Sequence, residues 1–256
     1  KGDVDAITGF TFTSLLNLEA RGAKAADVVV LPYADFGVKL YGNVIIASPK
    51  LIKENPAAIK AAIRVRAMGI GFDAIGFAPA SLAPEAREHL QTFLEQGRHG
   101  DMGWMLEKVD RRGDPKTLWP GAESVIVLGQ NYGPDGDPLA VLDQPDRGGI
   151  SVYARHRDYH DIVKKRLKEL GRWIAETYQI DIKVFVDTAP VMEKPLAARA
   201  GIGWQGTPTH LVSRELGSWL FLGEIFVALP LPPDAAEEDH CGQCQRCLDV
   251  CPTAAF

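Results

Sequence analysis

Cysteine is scarce in this chain: there are four in 256 residues, and all of them fall between Cys241 and Cys251. None is left elsewhere to pair with them, so a disulfide framework spread over the fold is excluded, and the chain is too long and too ordinary in apolar content to need one. Long apolar runs are also missing. The best candidate, Trp219 to Pro230, is cut by Gly223 and Glu224 and cannot span a bilayer, so no membrane partner is expected. A charge excess of either sign is absent, with a net charge of -5 and a pI near 5.7. A nucleic-acid partner would therefore have to be met by a local patch. No signal peptide is evident, and the cytoplasm is the expected compartment. The chain opens on Lys1 and stops just past its last cysteine, which reads as a piece of something longer.

What is present, with 46% hydrophobic and 24% charged residues, is the composition of a globular protein of one or two domains. Residues 1–60 read as a short helix over Ser14 to Arg21, apolar strands over Asp27 to Leu31 and Asn43 to Ser48, and a helix from Pro49 through Lys60. Those strands are too uniformly apolar to face water.

From residue 61 helices and strands alternate. Helices are predicted over Ala61 to Met68, Pro84 to Gln96, Tyr159 to Tyr178 and Pro190 to Ala200. Strands are predicted over Phe72 to Ala78, Ser124 to Leu128 and Ile182 to Val186. A glycine-joined meander of Thr209 to Ser213, Ser218 to Leu222 and Ile225 to Leu229 follows. In the long helix Tyr159, Val163, Leu167, Leu170, Ile174 and Tyr178 share one face, while Lys164, Lys165, Arg166 and Lys168 read as a solvated one. The class is α/β (α+β): a mixed sheet flanked by helices over residues 61–235, with a ferredoxin-like motif over residues 236–256.

The cysteine run is C-x2-C-x2-C-x3-C-P, the spacing that wraps a [4Fe-4S] cluster. Cys241, Cys244 and Cys247 can hold three corners, and the fourth cysteine of such runs, here Cys251, usually reaches a second cluster. A zinc site is the competing reading, but its ligand pairs are normally a dozen or more residues apart. Asp187 follows a predicted strand, where α/β sheets present side chains to ligands. On spacing alone, a helix-capping carboxylate is the simpler account. The glycines of Gly201-Ile202-Gly203-Trp204-Gln205-Gly206 either let backbone approach a flat ligand or simply make turns. His156, His160 and His210 have no metal-like spacing and read as ordinary polar residues.

The strings Asp187-Thr188-Ala189-Pro190-Val191-Met192-Glu193-Lys194-Pro195, Gly201 to Gly206, Leu211-Val212-Ser213-Arg214, Gly217 to Gly223 and the cysteine run, in that order, resemble the epoxyqueuosine reductases. Tyr153-Ala154-Arg155 and Asn131-Tyr132-Gly133-Pro134 agree. The resemblance implies a cobalamin- and [4Fe-4S]-dependent oxidoreductase that removes the epoxide oxygen from epoxyqueuosine at the tRNA wobble position. It implies two clusters, an external electron donor and a monomer, with Asp187 as proton donor. Arg111, Tyr153, Arg155, Asp187, Gln205, Ser213 and Trp219 are the expected cobalamin contacts. Thr207-Pro208-Thr209-His210 and His156 depart from the family's pattern, and the ligands that would complete the second cluster are missing from the chain. Residues 1–60, through Leu31-Pro32-Tyr33-Ala34-Asp35-Phe36-Gly37, resemble a fragment of the substrate-binding proteins of ABC importers. An electron-transfer protein without its own substrate and a solute-binding module are the readings from other classes. Retention of a corrinoid discriminates the first, and ligand binding to the N-terminal segment the second.

Overall fold

The structure, a computed structural model, describes residues 6–10, 18, 28–32, 43–47 and 55–254. Strands β1 (Ala6–Phe10), β2 (Val29–Pro32) and β3 (Asn43–Ala47) form an antiparallel sheet in the order β1-β3-β2. The expected helix over Ser14 to Arg21 lies outside the described residues except for residue 18.

Helix α1 (Pro56–Ile70) starts where Asn55 accepts a 3.2 Å hydrogen bond from the Ala58 N–H, with Pro56 in its first turn. It stops at Gly71, whose φ of 104° is open to glycine. The two helices expected on either side of residue 60 are, over the described residues, one continuous helix. A division of the chain at 60/61 therefore falls inside it. Ile59, Ile63 and Ala67 are buried, and Lys60 and Arg64 both pair with Asp234 on the far side of the chain.

The remaining strands are β4 (Ala74–Pro79), β5 (Ser124–Asn131), β6 (Ile182–Phe185), the short β7 (Trp204–Gln205) and β8 (Leu211–Val212), and β9 (Leu220–Val227). Four of them make a sheet in the order β4-β5-β9-β6. The α+β reading holds, but every pairing in this sheet is antiparallel where a mixed sheet is expected. The long stretches of chain between β5, β6 and β9 let each strand re-enter from whichever end its neighbours require.

Alternation along β5 sorts the core. Ile126 and Leu128 face α1 and helix α5 (Tyr159–Tyr178), while Val125 and Val127 face helix α6 (Glu193–Arg199). Helix α5 buries Val163, Leu167, Leu170 and Ile174 completely, each contributing roughly 1.5–3 kcal/mol. Lys164, Lys165 and Lys168 are exposed as expected. Arg166 is not: its guanidinium donates to the Gly71 carbonyl at 2.9 Å and to Gln130.

The expected meander is not formed. Residues Leu220–Val227 are one continuous strand, the second from the edge of the sheet. Gly223 makes no turn: a Cβ there would lie 2.8 Å from Leu167 Cδ1, so this glycine is what lets α5 pack down on the strand. Helices α2 (Pro84–Glu95), α3 (Val109–Gly113), α4 (Pro115–Leu118) and α7 (Arg246–Asp249) complete the described portion. Among the described residues no helix is long and apolar enough to cross a membrane.

Candidate active site

Strand β6 ends at Phe185, and two residues later the chain turns through Asp187 with a φ of +50°, a left-handed conformation that aspartate tolerates better than most residues. Helix α6 begins only at Glu193, not at Pro190 as expected, so Asp187 caps no helix. Its carboxylate is instead a hub. Oδ2 accepts from the Tyr159 hydroxyl at 2.6 Å and meets His160 Nε2 at 3.0 Å, while the Asp187 N–H donates to Glu193 Oε1 at 2.8 Å. The side chain keeps 54% of its surface, open to a ligand.

Each partner is held in turn. His160 Nδ1 lies 2.7 Å from Asp158 Oδ1, and that bond first, with the one to Asp187, holds the imidazole above its ordinary pKa against the opposing effect of burial. Burial, then the bond to Asp187, pushes the Tyr159 hydroxyl well above the usual phenol range, so it stays a donor. The Tyr159 ring stacks on Phe221 at 3.9 Å, Phe221 on Tyr132 at 4.2 Å, and Tyr132 meets Trp219 edge-on at 5.7 Å. Trp219 thus supports the site through three rings.

A cavity of about 750 Å³ opens beside Asp187. Its walls are the loop 187–195, the segment Trp104 to Arg112, Leu90, and Gln205 with Thr209. Arg112 lies over the Trp104 ring at 5.2 Å, with a buried Nε that has no hydrogen-bond partner among the described residues. Burial lowers its pKa, and Glu193 opposes that shift.

Of the residues expected to contact cobalamin, Asp187 and Gln205 line this cavity together. Arg111 is exposed, and it is its neighbour Arg112 that faces the cavity. Tyr153 is 56% exposed, and Arg155 Nε donates to the Ile150 carbonyl at 3.0 Å. Ser213 lines a separate cavity of about 420 Å³ beside Arg64 and Glu237. The glycine-rich loop has a packing explanation. A Cβ on Gly203 would sit 2.2 Å from the Val212 carbonyl oxygen, and one on Gly201 2.4 Å from that of Ala235.

The cysteine run docks on that loop. Trp204 Nε1 donates to Cys241 Sγ at 3.4 Å, and Arg214, Glu237 and His240 tie the preceding segment to the body. Cys241, Cys244 and Cys247 form no disulfide among the described residues. Their type and spacing fit an iron-sulfur cluster, but no three His, Cys, Asp or Glu side chains among the described residues lie close enough together to hold one metal ion.

The chain has counterparts among known proteins. Residues 112–188 match the family described as epoxyqueuosine reductase QueG, DUF1730. The chain is 43% identical to the epoxyqueuosine reductase of Pseudomonas aeruginosa over 205 residues, 79% of this chain and 56% of that protein.

The chain resembles epoxyqueuosine reductase.

It is also 42% identical to the Xanthomonas campestris epoxyqueuosine reductase over 212 residues, covering 82% of this chain and 59% of that one. An epoxyqueuosine reductase solved with an epoxyqueuosine-modified tRNA-Tyr stem loop superposes with a TM-score of 0.69 at 29% identity, over 78% of this chain and 53% of that chain. The Streptococcus thermophilus epoxyqueuosine reductase gives 0.68 at 33%, over 77% and 53%. The chain thus spans little more than half the length of these epoxyqueuosine reductases. Residues 1–74 match a second family, described as NMT1/THI5 like.

Sequence reasoning assigns a role to none of His160, Glu193 and Glu224. His160 has no metal-like spacing, and it reaches Asp187 because the start of α5 lies beside the end of β6. Glu193 sits in the string that begins at Asp187, but nothing in its spacing marks a contact with the Asp187 N–H. Glu224 alone leaves a signal, as a carboxyl inside an otherwise apolar strand.

Proposed function

We propose that residues 55–256 act as an epoxyqueuosine reductase on the wobble nucleoside of a tRNA anticodon loop, with Asp187 delivering a proton to the departing epoxide oxygen. The observation that carries this reading is Asp187 itself. It opens a string that resembles that family's motif, it is open to a ligand, and it lines a cavity of about 750 Å³ with two side chains fixing its carboxylate.

Replacing an epoxide by an alkene takes up two electrons and two protons and releases the oxygen as water. As the C–O bonds break, negative charge gathers on oxygen, and a positioned acid relieves it. Asp187 would make that transfer. His160 and Asp158 behind it form a path by which its proton can be replaced, and Tyr159 fixes which carboxylate oxygen faces inward.

The cavity suits a large, mostly apolar ligand bearing a few polar groups. Leu90, Met105, Val191 and Met192 supply apolar wall, Gln205 an amide, and Arg112 a buried N–H in need of an acceptor. Asp187, Gln205 and Arg112 would hold a corrinoid there, which when bound supplies the electrons at the reacting carbon. Cys241, Cys244 and Cys247 would ligate a first [4Fe-4S] cluster, Cys251 would serve a second, and an external donor would reduce them. The chain would work as a monomer in the cytoplasm, with residues 1–54 taking no part.

The test is anaerobic reconstitution with iron, sulfide and cobalamin, desalting, an absorption spectrum, and assay on an epoxyqueuosine-bearing anticodon stem-loop, beside D187A. Both proteins should retain corrinoid, and D187A should lose roughly 10²–10⁴-fold in rate. Clusters without retained corrinoid would leave an electron-transfer protein as the better reading.

A further inference from the structure

Glu224 is completely buried, yet neither of its carboxyl oxygens has a hydrogen-bond partner among the described residues. Its position explains what surrounds it. On β9 it alternates with Leu222 and Phe226, both on the α6 face of the sheet, and its cross-strand neighbours are Val127 and Phe185. An ionised carboxylate in such surroundings, with nothing to pair it, costs far more than a neutral acid.

The Asp187 loop and the start of α6 lie on this same face, since β6 runs from Phe185, opposite Glu224, straight into Asp187. Glu193, the first residue of α6, accepts the Asp187 N–H at 2.8 Å. That bond holds the one residue of the loop with a left-handed backbone. Three carboxyls therefore lie near enough to feel one another's charge. They are Asp187 at the surface, Glu193 below it and Glu224 in the core.

We propose that Glu193 is a positioning residue for Asp187, its carboxylate latching the loop through the Asp187 N–H, and that Glu224 stays protonated beneath it so that the latch carries a single negative charge. Its meaning for catalysis rests on the reductase reading above, but the latch is a property of the fold. Burial foremost and the charge of Asp187 push Glu193 up to about 7, while the Asp187 N–H, Lys194 and His160 oppose that shift. Burial, then Glu193 and Asp187, push Glu224 well above the carboxylate range. The groups facing Glu193 are Asp187, Glu224, Tyr159, His160, Lys194 and Arg112, and the last three favour its ionised form. The latch is therefore strongest above about pH 7 and weakens as Glu193 is protonated below it.

The test is hydrogen exchange at the Asp187 amide of the full chain, measured from about pH 6 to about pH 8 and corrected for intrinsic exchange, in wild type, E193A and E193Q. Protection in wild type should fall severalfold as the pH drops through about 7. In E193A it should be flat with pH and roughly tenfold below the wild-type value at about pH 8, as for the loss of one charge-assisted hydrogen bond. In E193Q, which keeps an acceptor but cannot titrate, it should be intermediate and flat with pH. Wild-type protection that does not vary with pH, or an unprotected amide in wild type, overturns the latch even if E193A does not fold. An infrared band of a protonated carboxyl at pH 7, lost in E224Q, is expected for Glu224, and its absence from wild type overturns that half. In the anticodon stem-loop assay E193A should lower kcat with little change in KM, and E193Q should restore part of the loss. Failure of wild type to retain corrinoid or to turn over would sink the reductase reading while leaving the exchange results to decide the latch.

Discussion

The Tyr159 hydroxyl donates to Asp187 Oδ2 at 2.6 Å while its ring lies flat on Phe221 at 3.9 Å, with an interplanar angle of 4°. One side chain thus fixes the candidate proton donor and anchors itself in the sheet. Y159F should keep the stack and lose only the hydrogen bond. We expect Tm to stay within a few degrees and turnover of the anticodon stem-loop to fall about tenfold, the share of one charge-assisted hydrogen bond. An unchanged rate would show that His160 alone suffices to hold Asp187.

Stability should fall as the pH rises from about 5 to about 8. His160 and Glu193 both have folded-state values raised above their unfolded ones, so each binds its proton more tightly when folded. The contribution of His160 is complete below its unfolded value near 6.5 and is lost as the pH climbs through its higher folded value. Glu193 acts in the same direction, between its ordinary 4.5 and about 7. Asp158 and Asp234, which are lowered, act only under more acidic conditions. Melting curves across this range should slope less steeply in H160Q above about pH 6.5 and in E193Q below about pH 7. A wild-type Tm that rises over the same range would contradict both assignments.

Gly203 tests what the glycine-rich loop is for. A Cβ there would lie 2.2 Å from a backbone carbonyl that has little freedom to withdraw. G203A should cost about 1–3 kcal/mol and lower Tm by several degrees in protein never exposed to a corrinoid. If that Tm is unchanged and only corrinoid retention falls, the glycine serves a ligand and not the packing of β7 on β8.

The N-terminal boundary can be located by truncation. A chain beginning at Asn55 keeps the cap of α1, buried Ile59 and the Lys60 bridge to Asp234 at 2.6 Å, and should melt close to the full chain. A chain beginning at Ala61 loses all three. Removing Ile59 alone is comparable to a large-to-small core substitution of about 2–5 kcal/mol, so this chain should melt many degrees lower. Equal Tm values would place the boundary at 60/61 after all.

The elements legible in the sequence are those whose signal is local. Helix α5 shows its face through the spacing of Val163, Leu167, Leu170 and Ile174, its start through Asp158, and its amphipathic charge through Lys164 and Lys168. The cysteine run and the Asp187 motif are short strings of fixed spacing, readable for the same reason. Gly223 misleads because a glycine that opens a turn and one that admits a helix look alike in one dimension. Only the tertiary structure tells them apart, by bringing Leu167 to within 2.8 Å of where a side chain would stand. The same holds for the site. Asp187 could be singled out by its motif, but His160 lies 27 residues away from it in the chain, and Glu224, further still, faces the loop only through its register opposite Phe185. Spacing along a chain decides periodicity and motif, whereas which side chains share one hydrogen bond or one buried charge depends on how distant strands and helices are stacked.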